Sequence, residues 1–244
     1  MQYVAIVLFL LHGLIHLLGV AKAFGWAELP QLTQSISRGM GFFWALAGLL
    51  HALSALGLFA HSQAWPWFGA AAVLVSQAVI VLHWQDAKWG TLANALIALM
   101  VMVGFGLQYQ RQATQRVKAQ LMADKPASPA EAPIAQEDLA HLPAPVQQWM
   151  QASGVLGQPR IQQVQLQQKM QLRLARDQQP WQAAQAQQLT TTSPPGFVWQ
   201  LEMKKMGLPV IGRDVLMAGS GRMRILLAGL VPVVDATGPE MDRA

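Results

Sequence analysis

Long apolar runs alternate with short polar segments through the first half of the chain. Four such runs cover residues 3–21, 40–60, 66–84 and 91–108. Each run can cross a hydrocarbon layer of about 30 Å, because an α-helix rises about 1.5 Å per residue. The pattern therefore predicts a bundle of four transmembrane helices in residues 1–110.

The second half of the chain has the alternating pattern of a sheet. Apolar side chains alternate with glutamine and lysine over residues 164–174 and again over residues 197–203, as in half-buried antiparallel strands. Residues 181–192 and 214–227 are weaker strand candidates. A short helix in LPAPVQQWMQASG precedes them, with Gly154 as its stop. We therefore predict a partial α+β domain of three or four antiparallel strands over residues 136–244.

The segment between the halves is polar and then rich in proline and alanine. Residues 108–124 favour a continuation of the fourth helix, and KPASPAEAPIA at 125–135 is typical of a semi-rigid linker. We assign residues 111–135 to this helix extension and linker. Three or four strands would leave open edges, so we expect the domain to be truncated at its C-terminus.

Charge supports the division into two halves. Residues 1–110 carry five charged side chains, Lys22, Glu28, Arg38, Asp86 and Lys88, and the remaining residues hold the other 24 of 29. The chain has no cysteine, which excludes disulfides and thiolate chemistry. Its net charge of +5 is not concentrated in a dense basic run, so no nucleic-acid partner is expected. The expected partner is the lipid bilayer.

Several segments resemble a bacterial family of unknown function. They are HLLGVAKAFGWAELPQLTQSISRGMGFFW and SQAVIVLHWQDAKWGTLAN in the first half, and LPAPVQQWMQASGVLGQPRI, PPGFVWQLEM and GRDVLMAGSGRMRILLAGLVPVVDATGPEMD in the second. The resemblance implies a curved antiparallel sheet, by analogy with lipoprotein-carrier half-barrels, that continues beyond the last residue of this chain. Members without membrane helices favour a cytoplasmic sheet domain. The resemblance supplies no activity and no catalytic residue.

Histidines give the first half its candidate chemistry. His12 and His16 are four residues apart and share a helix face, and His51 lies midway along the next predicted helix. Ionisable groups at such depth are costly and commonly functional. A haem b with two histidine ligands, a quinone or proton site, and plain interhelical hydrogen bonding all remain open. We expect no metal, because no acidic residue in the runs completes the histidine pair.

A second set of polar residues lies at the membrane edge. HWQDAKWGTLAN places Asp86 and Lys88 between the third and fourth runs and Asn94 inside the fourth. Asp86 and Lys88 are candidates to pair with each other or with headgroups, and Asn94 is expected to face a neighbouring helix. No nucleophile or phosphate-loop motif is present in the second half, which argues against an enzyme.

The leading functional hypothesis is a non-enzymatic protein of the bacterial inner membrane. Its sheet would bind an apolar or amphipathic ligand, such as a lipid, on a face lined by Val164, Leu166, Met170, Phe197, Trp199 and Leu201. A membrane redox or cofactor protein that uses His12, His16 and His51 is the alternative, and a membrane scaffold is a third. Four basic residues after the fourth run against three on the opposite side favour cytoplasmic termini.

Overall fold

The computed structural model describes residues 2–123, 132–173, 176–177 and 179–243. The chain divides into two compact units. The helical unit comprises Met1–Arg111 with the short segments Met206–Leu208 and Ala228–Val231. The sheet unit comprises Gln112–Lys205, Pro209–Leu227 and Pro232–Ala244. Most of the predicted linker, and Leu174 at the end of the first predicted strand, lie outside the described residues.

Helices α1 to α5 follow the apolar runs of the sequence. The bounds are α1 Gln2–Phe24, α2 Arg38–Phe59, α3 Trp65–Leu82, the single turn α4 Trp84–Ala87, and α5 Gly90–Ala123. The four long ones are long and apolar enough to cross a membrane. Helix α5 continues without a break from residue 90 to residue 123, beyond the end of the fourth apolar run.

Close backbone contact joins α1 to α2. A Cβ atom added at Gly48 would lie 3.1 Å from the carbonyl oxygen of Gly13, and one added at Gly41 would lie 2.6 Å from Ala23 Cβ. Glycines at such positions let helix backbones approach closely. On α2, Gly41, Gly48 and Ala55 are buried, whereas Ala52 is exposed.

The sheet unit contains two short helices and a six-stranded antiparallel sheet in sequential order. The bounds are α6 Gln136–Leu139, α7 Ala144–Ala152, β1 Gln163–Leu172, β2 Gln182–Thr192, β3 Pro195–Lys205, β4 Leu208–Met217, β5 Ser220–Leu227 and β6 Val231–Thr237. The apolar residues of α7 do not form a buried face, since no residue of that helix is buried.

The prediction of three or four strands is wrong. The candidate strand 214–227 is the end of β4 and all of β5, and they are separated by Ala218 and Gly219. Both of these turn residues have positive φ, 51° and 74°, as in the tight turns that match the twist of a hairpin. Met206–Gly207 and Ala228–Gly229 repeat this geometry between the neighbouring strands. The sheet is therefore a simple meander.

Both faces of the sheet carry buried apolar residues. On one face Ala184, Ala186, Leu201, Met203 and Val210 form a core cluster. On the other, Leu189 and Val198 pack against Leu121 near the end of α5. The C-terminal part of α5 therefore covers one face of the sheet.

Candidate functional site

Three histidines from α1 and α2 meet inside the helical unit. The ring centroids of His12 and His51 are 4.9 Å apart, those of His12 and His16 are 5.0 Å apart, and those of His16 and His51 are 5.5 Å apart. Each of the three side chains is buried. One nitrogen from each ring lies within 4.8 Å of the nitrogens of the other two. The structure thus brings together the three histidines singled out from the sequence.

The local fold explains why the rings converge. His12 and His16 project from the same face of α1 because they are one helical turn apart. Gly13, between them, faces α2 so closely that an added Cβ would lie 3.0 Å from His51 Cβ. A larger residue at position 13 would push His51 away. The close contact of Gly13 with Gly48 and His51 on α2, here called the glycine seam, therefore sets the distance between the imidazoles of the two helices.

A hydrogen-bonded set of polar side chains lies beside the histidines. Asn94 on α5 lies with its Oδ1 atom 3.0 Å from His12 Nε2, and it donates from Nδ2 to Gln77 Oε1 on α3 at 3.0 Å. The Ser76 hydroxyl donates to Asn94 Oδ1 at 3.1 Å and lies 2.9 Å from His16 Nε2. Asn94 therefore faces a neighbouring helix, and it does so inside the histidine site.

Ser76 and Gln77 were not identified from the sequence as part of this site. They are consecutive polar residues in a helix that is otherwise apolar, WPWFGAAAVLVSQAVIVL. That interruption is the signal that could have revealed them, because polar groups in such helices need partners. Trp44, a third unanticipated neighbour, lies with its ring centroid 5.3 Å from that of His16.

Some nitrogens of the cluster have no partner. His51 Nδ1 bonds to the carbonyl oxygen of Ala47 at 2.7 Å. By contrast, His51 Nε2 and His16 Nδ1 are buried and have no hydrogen-bond partner among the described residues. Leaving a buried polar atom unpaired costs about 1–3 kcal/mol, so such atoms call for an explanation.

The packing around the cluster does not fit a haem. A macrocycle held by one histidine from each helix would have to enter the seam between α1 and α2. The contact between Gly13 and Gly48 closes that seam at the level of the rings. A small ligand or a single ion is compatible with three imidazoles at this spacing.

Asp86, one of the residues at the predicted membrane edge, is hydrogen-bonded to the loop between α1 and α2. Asp86 accepts hydrogen bonds from Thr33 Oγ1 at 2.7 Å and from the backbone N–H of Gln34 at 2.8 Å. These two bonds, the Thr33 hydroxyl above all, hold the pKa of Asp86 below its ordinary value. Asp86 fixes the loop between α1 and α2, and within the described residues it forms no ion pair with Lys88.

All six residues predicted to line a ligand site lie on one face of the sheet. The register pairs Leu166 with Gln188 and Gln188 with Trp199, and opposed residues share a face. Leu201, however, is part of the buried core, and Met170 and Trp199 pack against that core. Val164 and Leu166 remain exposed, at 36% and 43%. Much of this predicted lining is therefore ordinary core.

A groove of about 680 Å³ lies on the opposite, helix-covered face of the sheet. It is lined by residues from α5, β1 and β2: Gln115, Lys118, Met122, Gln165, Leu166, Gln167, Gln187, Gln188 and Leu189. Lys118 Nζ donates to Gln187 Oε1 across it at 3.2 Å. Most of its lining is amide-bearing, and it shares only Leu166 with the predicted apolar site.

Comparison with known proteins identifies one region of the chain. No curated protein and no solved structure matches the chain. Residues 132–244 match the model of a family described as a family of unknown function, DUF6544. That match covers α6, α7 and the whole sheet, and it stops short of the histidine cluster. The predicted resemblance is thus confirmed for the second half: residues 132–244 match this family of unknown function, and four long apolar helices precede them.

Proposed function

We propose that this chain is an integral membrane protein whose helical unit binds a small ligand or cofactor through His12, His16 and His51. The observation that carries the proposal is the buried convergence of the three imidazoles, two of which keep an unpartnered nitrogen. Unpaired lone pairs at such depth are most simply explained as binding groups. This choice favours the cofactor alternative over the sheet-ligand hypothesis.

The test compares the molecules and ions that co-purify with the full-length wild-type protein and with a variant that lacks one imidazole of the cluster. His51→Asn retains an amide N–H that can reach the Ala47 carbonyl but loses Nε2. We expect the wild-type protein in mild detergent to carry an organic molecule or a metal near one equivalent, measured by mass spectrometry and elemental analysis. The His51→Asn variant should lack it.

His61→Gln is the matched control, because His61 is an exposed histidine outside the cluster. This variant should retain the bound species. If wild type and His51→Asn carry the same species in the same amounts, or carry none, the histidine cluster is a packing feature and the proposal is wrong.

Membrane insertion is part of the proposal, with the bilayer as partner. Its support is the outward-facing apolar surface of the four long helices, on which Leu14 is 58% and Leu74 72% exposed. We place the protein in the bacterial inner membrane with the sheet unit on the cytoplasmic side. Four spans put both termini on one side and the loop of residues 25–37 on the other.

The absence of cysteine makes this topology directly measurable. A membrane-impermeant maleimide should label Gln31→Cys in intact spheroplasts, and it should label Gln185→Cys only after the membrane is permeabilised. Both positions are exposed in the structure. The reverse pattern would place the sheet unit outside, and release of the protein by alkaline carbonate would contradict insertion.

Binding of an apolar ligand by the sheet is a second candidate function. Val164 and Leu166 are exposed on β1, beside a Trp199 indole N–H that donates to Gln168 Oε1 at 3.0 Å. An apolar surface with a few polar groups suits an amphipathic molecule such as a lipid. Leu166→Glu should then abolish co-purification of that lipid, whereas the exposed Gln185→Glu should not.

A further inference from the structure

The hydrogen bonds around the cluster determine which nitrogen of each ring carries the proton. Asn94 donates from Nδ2 to Gln77, so its Oδ1 atom faces the site as an acceptor. Ser76 already donates its hydroxyl proton to that oxygen. His12 Nε2, 3.0 Å from the same oxygen, must therefore be the donor of its contact. The Nδ1 atom of a neutral His12 is consequently unprotonated.

The same reasoning assigns the other two rings. Because Ser76 uses its proton on Asn94, its oxygen accepts from His16 Nε2 at 2.9 Å. His51 donates from Nδ1 to the Ala47 carbonyl. The bare nitrogens are thus His16 Nδ1 and His51 Nε2, the two imidazole nitrogens that are buried without a hydrogen-bond partner among the described residues. Three neutral imidazoles each keep one lone pair.

This arrangement has the two features of a histidine metal site. Neutral imidazoles are good ligands for zinc, copper and nickel, whereas magnesium and calcium require oxygen ligands. The second nitrogen of a metal-bound histidine almost always donates to a carbonyl, carboxylate or similar acceptor, which orients the ring. Here the Ala47 carbonyl, the Asn94 amide and the Ser76 hydroxyl supply those acceptors.

We propose that His12, His16 and His51 together bind one late first-row transition-metal ion, such as Zn²⁺ or Cu⁺. This inference rests on the proposed function, since it names the ligand of the same cluster. One nitrogen from each ring lies within 4.8 Å of one nitrogen of the other two, so the rings must move inward to bind a common ion at about 2.0–2.1 Å. Three protein ligands leave a fourth position open.

The proposal replaces the expectation that no metal is bound. The sequence offers no acidic residue to complete a site with His12 and His16 on α1. In the structure the third candidate ligand is the imidazole of His51 on α2. Because all three ligands are neutral, the ion keeps its positive charge in apolar surroundings. That charge favours a monovalent ion, or a divalent ion with an anion in the fourth position.

The experiment is metal titration of the full-length protein in mild detergent after removal of bound metal with a chelator. Zn²⁺ and Cu⁺ are the probes. We expect one equivalent to bind, with X-ray absorption showing three imidazole nitrogens at about 2.0–2.1 Å. His51→Asn should weaken binding at least about 100-fold, and Asn94→Leu, which removes an orienting acceptor, about 10–100-fold. His61→Gln should bind as the wild type does.

The outcomes separate this inference from the proposed function. If neither ion binds, yet an organic molecule co-purifies with wild type and is lost in His51→Asn, the metal assignment is overturned and the ligand site stands. If metal binds in an oxygen-rich environment or equally well to His51→Asn, the ion belongs elsewhere. If no bound ion or molecule is lost in His51→Asn, both the metal assignment and the proposed function are wrong. The X-ray absorption spectrum of the metal-loaded wild-type protein shows whether imidazole nitrogens bind the ion, even where a variant fails to fold.

Discussion

The helical unit and the sheet unit of this chain have opposite polarity. On α1 the exposed residues are large and apolar, as at Leu14, while the buried ones include His12 and His16. In the sheet, Ala186 and Leu201 are buried and Gln185 is exposed. The helical unit exposes large apolar side chains and buries polar ones beside its apolar core, whereas the sheet exposes glutamines and buries apolar side chains. The two halves are therefore suited to different solvents.

The difference also concerns what holds each unit together. Lipid is as apolar as leucine, so helices in it associate through close packing and hydrogen bonds and not through burial of apolar surface. In the bilayer that we propose for the helical unit, the contact between Gly13 and Gly48 and the bonds of Asn94 would serve that purpose. In the sheet unit, burial of apolar side chains such as Leu189, Val198 and Leu201 removes apolar surface from water and stabilises the fold.

The largest expected effect comes from truncating a leucine in the two environments. Leu189 is 2% exposed beneath the C-terminal part of α5, whereas Leu14 is 58% exposed on the outside of α1. Leu189→Ala should destabilise the sheet unit by about 3 kcal/mol, through lost burial and the cavity that remains. Leu14→Ala should change stability by less than about 0.5 kcal/mol in detergent. Denaturant unfolding of the full-length protein, followed by hydrogen exchange in each unit, measures both.

Equal losses from the two leucine substitutions would contradict the comparison. They would mean that the outside of α1 is covered by protein and that the helical unit is not an isolated bundle in lipid.

The next effect concerns the glycine seam of the helical unit. Gly48→Leu should force α1 and α2 apart, because the Cβ atom alone would lie 3.1 Å from the Gly13 carbonyl oxygen. Overpacking of this kind costs about 2 kcal/mol. Gly39→Leu on the same helix is the control, since its nearest contact would be Ser37 Oγ at 3.9 Å. Thermal unfolding in detergent should separate the two variants, and equally stable variants would show that the seam is not a tight contact.

The sequence predicted the helices better than the strands, and the reason is physical. An apolar run as long as residues 91–108 is long enough to cross a bilayer, so its length alone predicts a helix. Strand boundaries depend on turns, and here Met206–Gly207 and Ala218–Gly219 occupy positions where Asn-Gly is the stronger signal. The pattern therefore predicts one strand across the hairpin at Ala218–Gly219 and does not predict the hairpin at Met206–Gly207.

The candidate site was predictable only in part. The spacing of His12 and His16 placed them on one face, and depth along the helices placed His51 near them. The proton positions depend on Ser76 and Asn94, which come from α3 and α5. No local pattern specifies a hydrogen bond between residues so far apart in sequence. Their convergence is a property of the packed bundle.

The smallest expected effect distinguishes buried from paired carboxylates within the sheet unit. Burial raises the pKa of Asp214 above its ordinary value of 3.8, and only the Val215 backbone N–H opposes it. Between these two pKa values the folded state binds more protons than the unfolded state, so stability falls as pH rises through that window. Asp214→Asn should stabilise the unit at pH 7 by less than about 1 kcal/mol, allowing for solvent screening, and by nothing near pH 3.

Asp138 gives the opposite sign and serves as the control. The Arg160 guanidinium, 2.7 Å away, holds the pKa of Asp138 below 3.8, with help from the Ala135 backbone N–H. Here the unfolded state binds more protons, so the contribution is present above pH 3.8 and is lost as pH falls through the lowered pKa. Asp138→Asn should therefore destabilise the unit at pH 7, with a difference from wild type that shrinks in acid. Thermal unfolding at pH 3 and pH 7 tests both signs. If the two variants shift in the same direction at pH 7, burial and pairing do not set the behaviour of these carboxylates.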